Sequence, residues 1–164
     1  GTVAVYKCLP GLVVAGTQKS GSTALTGYLL QHPNVQMAKM KELHFFDDKR
    51  NMDKGLAHYL EMFQESVEGG ENRTLNGEAT PYYLHSKEAC KNIAMNAPHA
   101  KLIVLLRNPI DRAYSEWQMK KRRVDDQSAF FDQMNEDAER LYRCLVESLG
   151  DFPGVSACAG PQLT

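Results

Sequence analysis

Residues 12–30 read LVVAGTQKSGSTALTGYLL: an apolar run, a glycine-bounded loop and the start of a segment with helical spacing. A buried strand that feeds a helix through such a loop is the building unit of a parallel α/β sheet. Gly16 and Gly21 keep the spacing of G-x-x-x-x-G-K-[ST], and Thr23 supplies the closing hydroxyl, but Ser22 occupies the lysine position. The lysine is instead Lys19, inside the loop. Backbone N–H groups at a helix N-terminus hold phosphate oxygens through the main chain, so the loop still suits an anion, with its cation beside a different atom of that ligand. Ser20, Ser22 and Thr23 crowd the helix start. The segment therefore reads as a nucleotide-phosphate loop unlike that of an ordinary ATPase; the alternative for any single short motif is a glycine-punctuated turn.

The same alternation continues along the chain and predicts an α/β fold, a P-loop-like parallel sheet flanked by helices. Residues 11–16 form its first strand, and Ser22 to Gln31 a helix that stops before His32-Pro33. Leu56, Tyr59, Leu60 and Phe63 recur at helical spacing, and a Gly69-Gly70 turn follows. Thr74 to Ala79 predicts a short strand stopped by Pro81, and Lys87 to Asn96 a helix stopped by Pro98. The run KLIVLL, 101–106, is the clearest strand after the first and leads into Arg107-Asn108-Pro109. There Asn108 suits a helix cap, Pro109 the first helical position, and Asp111 the positive end of the helix dipole. That helix is expected to bury Ile110, Ala113, Tyr114 and Trp117. Phe130, Met134, Ala138, Leu141, Leu145 and Leu149 mark a longer amphipathic helix before a loose tail, 151–164.

A chain of 164 residues with 43% hydrophobic content sustains one core, hence a single domain. Its net charge of -1 exerts no global pull on nucleic acid, so anion binding must come from local basic groups. No stretch approaches the roughly 20 apolar residues of a membrane span. Gly1 is neither an initiator methionine nor the start of a signal peptide. The expectation is an excised piece, any membrane anchor lying upstream, and a sheet cut short on its C-terminal side. The four cysteines have no C-x-x-C pair or metal-finger spacing, which leaves buried thiols or disulfides. Cys144 and Cys158 can close a short loop across 150–153, and Asn72-Arg73-Thr74 is an N-glycosylation sequon. Both features tilt the compartment toward the secretory lumen.

Three further segments carry chemistry. Arg107 follows a strand at the end where open α/β sheets bind ligands, and its guanidinium can grip a phosphate bidentately. Ser115 and Arg112 share a face of the following helix; alternatively, Arg107 pairs with Asp111 and Ser115 is solvated. In Lys41-Glu42-Leu43-His44-Phe45-Phe46-Asp47 a carboxylate and an imidazole alternate with apolar residues, a composition suited to a general base. The other reading is a loop anchored by Phe45 and Phe46, with Glu42 paired to Lys41 or Lys39. Glu78 and Tyr82, in GEATPYY, are candidate substrate contacts with an aromatic face suited to a sugar ring, or else a strand end with stacked tyrosines. Lys120 to Arg123 reads as a solvated helix end or, against a polyanion, as a binding patch.

The segments GTQKSGSTAL, KELHFFD, GEATPYY and LIVLLRNPIDRAYSEW, in that order over about 100 residues, resemble the sulfotransferases that use 3′-phosphoadenosine 5′-phosphosulfate. Within that family the chain is most similar to the Golgi carbohydrate enzymes. KELHFFD is similar to the heparan sulfate 3-O-sulfotransferase pattern. Tyr6 to Pro10, the GEA segment and the Cys144 and Cys158 region look more like the chondroitin N-acetylgalactosamine 4-sulfate 6-O-sulfotransferases.

The resemblance implies one partial sulfotransferase domain over 1–164. Residues 16–24 would form the 5′-phosphosulfate loop, with Gln18, Lys19, Ser20, Gly21, Ser22 and Thr23 on the donor and Lys19 near the bridging oxygen. Within 102–117, Arg107 and Ser115 would take the 3′-phosphate. Glu42 would be the general base on the acceptor hydroxyl, supported by His44, with Lys41, Glu78 and Tyr82 toward a glycosaminoglycan-like carbohydrate. No metal or nucleic-acid partner is implied, and the compartment would be the Golgi lumen, with a type II anchor outside this chain. Two departures stand out. Ala79 replaces the lysine that heparan sulfate 3-O-sulfotransferases carry after the glutamate, and the family's later glycine- and basic-rich loop is missing. The competing classes are a P-loop kinase or NTPase, disfavoured by Ser22 and by the lack of a strand ending in the Walker B aspartate, and an inactive glycan-binding domain of the same fold.

Overall fold

The computed structural model describes residues 5–67, 74–120 and 127–147. Two compact units divide the chain, residues 1–112 and 113–164.

In the first unit, β2 (Leu12–Gly16), β3 (Val35–Met37), β5 (Leu75–Ala79) and β6 (Lys101–Val104) form a parallel sheet in the order β3-β5-β2-β6. The strand β2 lies between two neighbours, with Val13 opposite Glu78 on β5 and opposite Leu102 on β6. Its five residues are all buried, the condition that a parallel strand covered on both faces imposes on its sequence. Val13 and Ala15 pack into a cluster with Phe45, Phe46, Tyr59, Phe63, Tyr83 and Ile93. Val14 packs oppositely with Met37 and Ala79, under Leu25 and Leu29 of α1 (Ser22–Leu29). A separate antiparallel pair joins β1 (Val5–Tyr6) to β4 (Ser66–Val67).

The remaining elements of this unit are α2 (Lys49–Met52), α3 (Gly55–Leu60), a 3-10 turn at Pro81–His85, and α4 (Lys87–Asn96). Local chemistry sets their limits. Asp48 caps α2 by accepting from the Arg50 amide, and Ser86 caps α4 by accepting from the Ala89 amide at 3.0 Å. The α4 bounds are those expected from sequence. Helix α3 is shorter than the spacing of Leu56 to Phe63 predicts, although Tyr59 and Phe63 are both buried as expected.

Two expectations about β6 and the helix after it are corrected. The strand ends at Val104 rather than Leu106 and is an edge strand among the described residues, with Leu102 54% exposed. The helix α5 (Pro109–Lys120) begins as expected, the Asn108 side chain accepting from the Ile110 and Asp111 amides. Ile110, however, is 67% exposed: it stands in the first turn, where a helical stripe need not yet face a core.

In the second unit, Tyr114 and Trp117 of α5 gather with Phe130 of α6 (Gln127–Glu147), ring centroids 5.2 and 5.8 Å from Phe130. Trp117 and Phe130 are buried, whereas Ala138 is exposed. The glycine pair 69–70, the basic run 121–123 and the tail 151–164 lie outside the described residues.

Candidate active site

Parallel strands bring the C-terminal ends of β2, β5 and β6 to one edge of the sheet, and ligands of open α/β sheets bind there. The loop after β2 is held by its own hydroxyls and by the segment after β6. Thr17 donates its amide and its Oγ1 to the Leu105 carbonyl, at 2.9 and 3.0 Å, and Thr17 Oγ1 lies 2.6 Å from Ser20 Oγ. Arg107 Nη1 donates to the Lys19 carbonyl at 3.2 Å. Two residues expected to act on one nucleotide are thus joined directly.

The loop turns into α1 through Lys19 at φ 65° and Gly21 at φ 98°. The latter value favours glycine, since a Cβ meets its own backbone there. Gly21 caps α1 without any side-chain hydrogen bond, which leaves the first-turn amides directed at the loop, an arrangement suited to an anion. Lys41 adds a cation at this point: its Nζ donates to Thr23 Oγ1 at 2.6 Å and to Ser22 Oγ at 3.3 Å. Uncapped amides, hydroxyls and lysine together form a donor set suited to an anion.

The same Lys41 Nζ is 3.6 Å from Glu42 Oε1. Glu42 is 43% exposed, so the loop does not lodge it among apolar groups; Phe45 and Phe46 are buried instead. His44 Nε2 stands 4.0 Å from Glu42 Oε2, and His44 Nδ1 is 2.8 Å from Asp47 Oδ2. A carboxylate at that distance makes Nδ1 the donor and turns Nε2 toward Glu42. Asp47 is 5% exposed, and burial removes the water that would compete for the ring.

Glu42 and His44 both have positive φ, 61° and 49°. For non-glycine residues this conformation costs about 1–2 kcal/mol each and persists only where neighbours over-determine it. Here the Glu42 amide donates to the Ala79 carbonyl at 2.9 Å, and the Phe45 amide to Tyr83 Oη at 3.1 Å. Asn51 Nδ2 donates to the His44 carbonyl at 3.0 Å.

A sulfotransferase domain family model matches residues 9–147. The chain belongs to the sulfotransferase domain family. It is 32% identical over 144 residues to the Dictyostelium discoideum membrane-associated sulfotransferase kil1, covering 84% of this chain and 30% of that protein. It is 38% identical over 120 residues to human heparan sulfate glucosamine 3-O-sulfotransferase 3B1, covering 73% and 29%. Against the Caenorhabditis briggsae bifunctional heparan sulfate N-deacetylase/N-sulfotransferase 1 it is 37% identical over 117 residues, covering 68% and 13%. The chain therefore spans less than a third of the length of these relatives. A sulfotransferase structure from Alicyclobacillus acidocaldarius superposes with TM-score 0.62 at 25% identity, covering 83% of this chain and 60% of that one.

On this sulfotransferase fold, Lys19, Ser20, Gly21, Ser22, Thr23 and Arg107 fall around one loop, and Lys41 lies between that loop and Glu42. Gln18 is half-buried in the same loop. Tyr82 is half-buried, its ring 5.9 Å from that of His44, at the margin of the Glu42 side. Ser115 is half-buried in the second unit.

Glu78 is not a surface contact. It is 0% exposed, and its carboxylate accepts from Tyr59 Oη, from Thr80 Oγ1 at 2.9 Å and from Tyr83 Oη at 3.1 Å. Burial pushes its pKa up to about 7, against the lowering effect of the three hydroxyls. Burial and the Glu78 charge push the Tyr59 and Tyr83 hydroxyls up as well. Asn72 and Cys158 lie outside the described residues; Cys8 and Cys90 carry free thiols, and Cys144 is disulfide-bonded.

The sequence reading missed Asp47 and Tyr83. Asp47 was legible as the third residue after His44 in a loop, a spacing that lets a carboxylate reach back to a ring. Tyr83 carries no such signal, because its partners are 5, 37 and 38 residues away.

Proposed function

We propose that the intact protein transfers a sulfuryl group from 3′-phosphoadenosine 5′-phosphosulfate to a hydroxyl or amino group of a glycosaminoglycan-like carbohydrate. The observation that carries this reading is Lys41 standing between Thr23 Oγ1 and Glu42 Oε1: one ammonium links an anion-binding helix start to an exposed carboxylate. The donor supplies an activated S–O bond to a 5′-phosphate. Glu42 takes the proton of the acceptor group as its oxygen or nitrogen bonds to sulfur. Lys19 and Lys41 neutralise the charge that grows on the departing phosphate as the S–O bond breaks, and the α1 amides hold its oxygens. His44, oriented by Asp47, supports Glu42. Arg107 takes the 3′-phosphate.

The heparan sulfate relatives support a polyanionic glycan as acceptor, and Tyr82 beside His44 offers a ring face to a sugar. The resemblance to carbohydrate sulfotransferases supports the Golgi lumen as compartment. Among the described residues no helix is long and apolar enough to cross a membrane.

The test uses the full-length protein, sulfur-labelled donor and a panel of glycosaminoglycans. Lys19→Ala and Arg107→Ala are each expected to abolish transfer while circular dichroism stays native. Unchanged turnover in both variants would overturn the reading.

A further inference from the structure

We propose that Glu78 is a positioning residue, which through the Tyr83 hydroxyl holds the main chain of the Glu42–Asp47 loop in its reactive shape. This rests on the assignment of Glu42 as the base.

The two ends of the strained stretch are fixed from one place. At one end the Glu42 amide donates to the Ala79 carbonyl, the residue after Glu78. At the other, the Phe45 and Phe46 amides approach Tyr83 Oη at 3.1 and 3.4 Å. Tyr83 Oη has one proton and donates it to Glu78, 3.1 Å from Oε1 and 3.2 Å from Oε2. A phenol whose proton is committed to a carboxylate has only lone pairs left for the amides. The carboxylate thus fixes the sense of every hydrogen bond along the path from β5 to the loop.

Glu78 is itself immobilised. Tyr59 of α3 and Thr80 also donate to it, and Tyr59 stacks on Phe45 with centroids 4.2 Å apart. The loop is therefore clamped through its main chain by Tyr83 and through the Phe45 ring by Tyr59, and both hydroxyls converge on one buried carboxylate. A polar network this buried specifies one geometry only while every member is satisfied.

Three variants of the full-length protein test this: Glu78→Gln, Tyr83→Phe and the double variant. Each single change is expected to lower kcat by between about tenfold and a hundredfold, as small misplacements of a reacting group do, while the donor KM and the affinity for the 3′,5′-bisphosphate product stay within about twofold. The double variant is expected to fall no further than the worse single one, because both act through the same hydroxyl. Hydrogen exchange at the Phe45 and Phe46 amides is expected to speed up in both singles, while the β2 amides stay protected. Wild-type kcat in folded Tyr83→Phe, additive losses in the double variant, or unchanged exchange at Phe45 would each overturn the proposal. Tyr83→Phe keeps the ring and the core volume, so it decides the matter even where Glu78→Gln does not fold. Failure of the wild-type protein to transfer any sulfuryl group would overturn the proposed function instead, and the exchange measurement would still report whether Glu78 holds the loop.

Discussion

Arg107 Nη1 donates to the carbonyl oxygen of Lys19 across 3.2 Å, tying the segment after β6 to the loop after β2. The guanidinium has further donors in its planar fork, and it is exposed, so holding the loop leaves it able to grip an anion. On the proposed function, one residue then takes the 3′-phosphate and stiffens the loop that carries Lys19.

The Arg107→Ala variant is accordingly expected to bind the 3′,5′-bisphosphate nucleotide about ten- to a hundredfold more weakly, the scale of losing a hydrogen bond to a charged group. Binding of the analogue lacking the 3′-phosphate is expected to weaken far less. Calorimetric titration of both nucleotides against both proteins checks this. Equal losses for the two would mean that Arg107 serves the loop alone.

Lys41→Met removes the ammonium between Thr23 and Glu42 while keeping most of the stem. It is expected to lower kcat by roughly tenfold or more, since charge neutralisation at the leaving phosphate is lost, with a smaller rise in donor KM. Steady-state kinetics at saturating acceptor separates the two. A change confined to acceptor KM would move Lys41 to the acceptor side, as the family resemblance implies.

Much of this arrangement was legible because its signals are local. Gly21, the hydroxyl-rich start of α1, the Asn108 cap and the breaks at Pro81 and Pro98 each act within a few residues. The end of α4 and the start of α5 follow from them. Misreadings came where distant partners decide. Glu78 beside Pro81 and Tyr82 looks like a surface carboxylate until Tyr59, nineteen residues away, closes over it. The β6 run is apolar enough for a central strand, yet only strand order determines that it lies at an edge among the described residues.

Asp47→Asn preserves shape but exchanges an acceptor for an amide opposite His44 Nδ1. The ring then loses the partner that fixes its tautomer. Transfer is expected to fall by about a hundredfold, the lower range of what a positioned proton-transfer group contributes, with donor affinity unchanged. Single-turnover rates with pre-bound donor provide the measurement, and full activity in the variant would mean that Asp47 does not orient His44 for the reaction.

Gly16 ends β2 under the 3-10 turn. A Cβ there would stand 2.6 Å from Leu84 Cβ and 3.2 Å from the Pro81 carbonyl, closer than packed atoms tolerate. Gly16→Ala is expected to destabilise the protein by about 1–3 kcal/mol, the scale of overpacking, in urea unfolding. Adding Leu84→Gly should recover part of that loss, since Leu84 is exposed and its Cβ is the nearest atom in the way.

The raised pKa of Glu78 predicts a pH dependence of stability with a definite sign. Burial raises it from 4.5 to about 7 in the folded protein, with the Asp47 charge adding to the rise. The folded state therefore binds this proton more tightly than the unfolded chain does. Glu78's contribution is fully present below the unfolded value, declines as pH rises, and is lost above about 7. Between those limits the wild-type protein should lose stability relative to Glu78→Gln, by an amount on the order of a few kcal/mol. Urea titrations of both proteins at about pH 5 and about pH 8 give the comparison, and subtracting the curves cancels the other carboxylates they share. A difference that is flat, or that grows with pH, would mean that the three hydroxyls outweigh burial at this carboxylate.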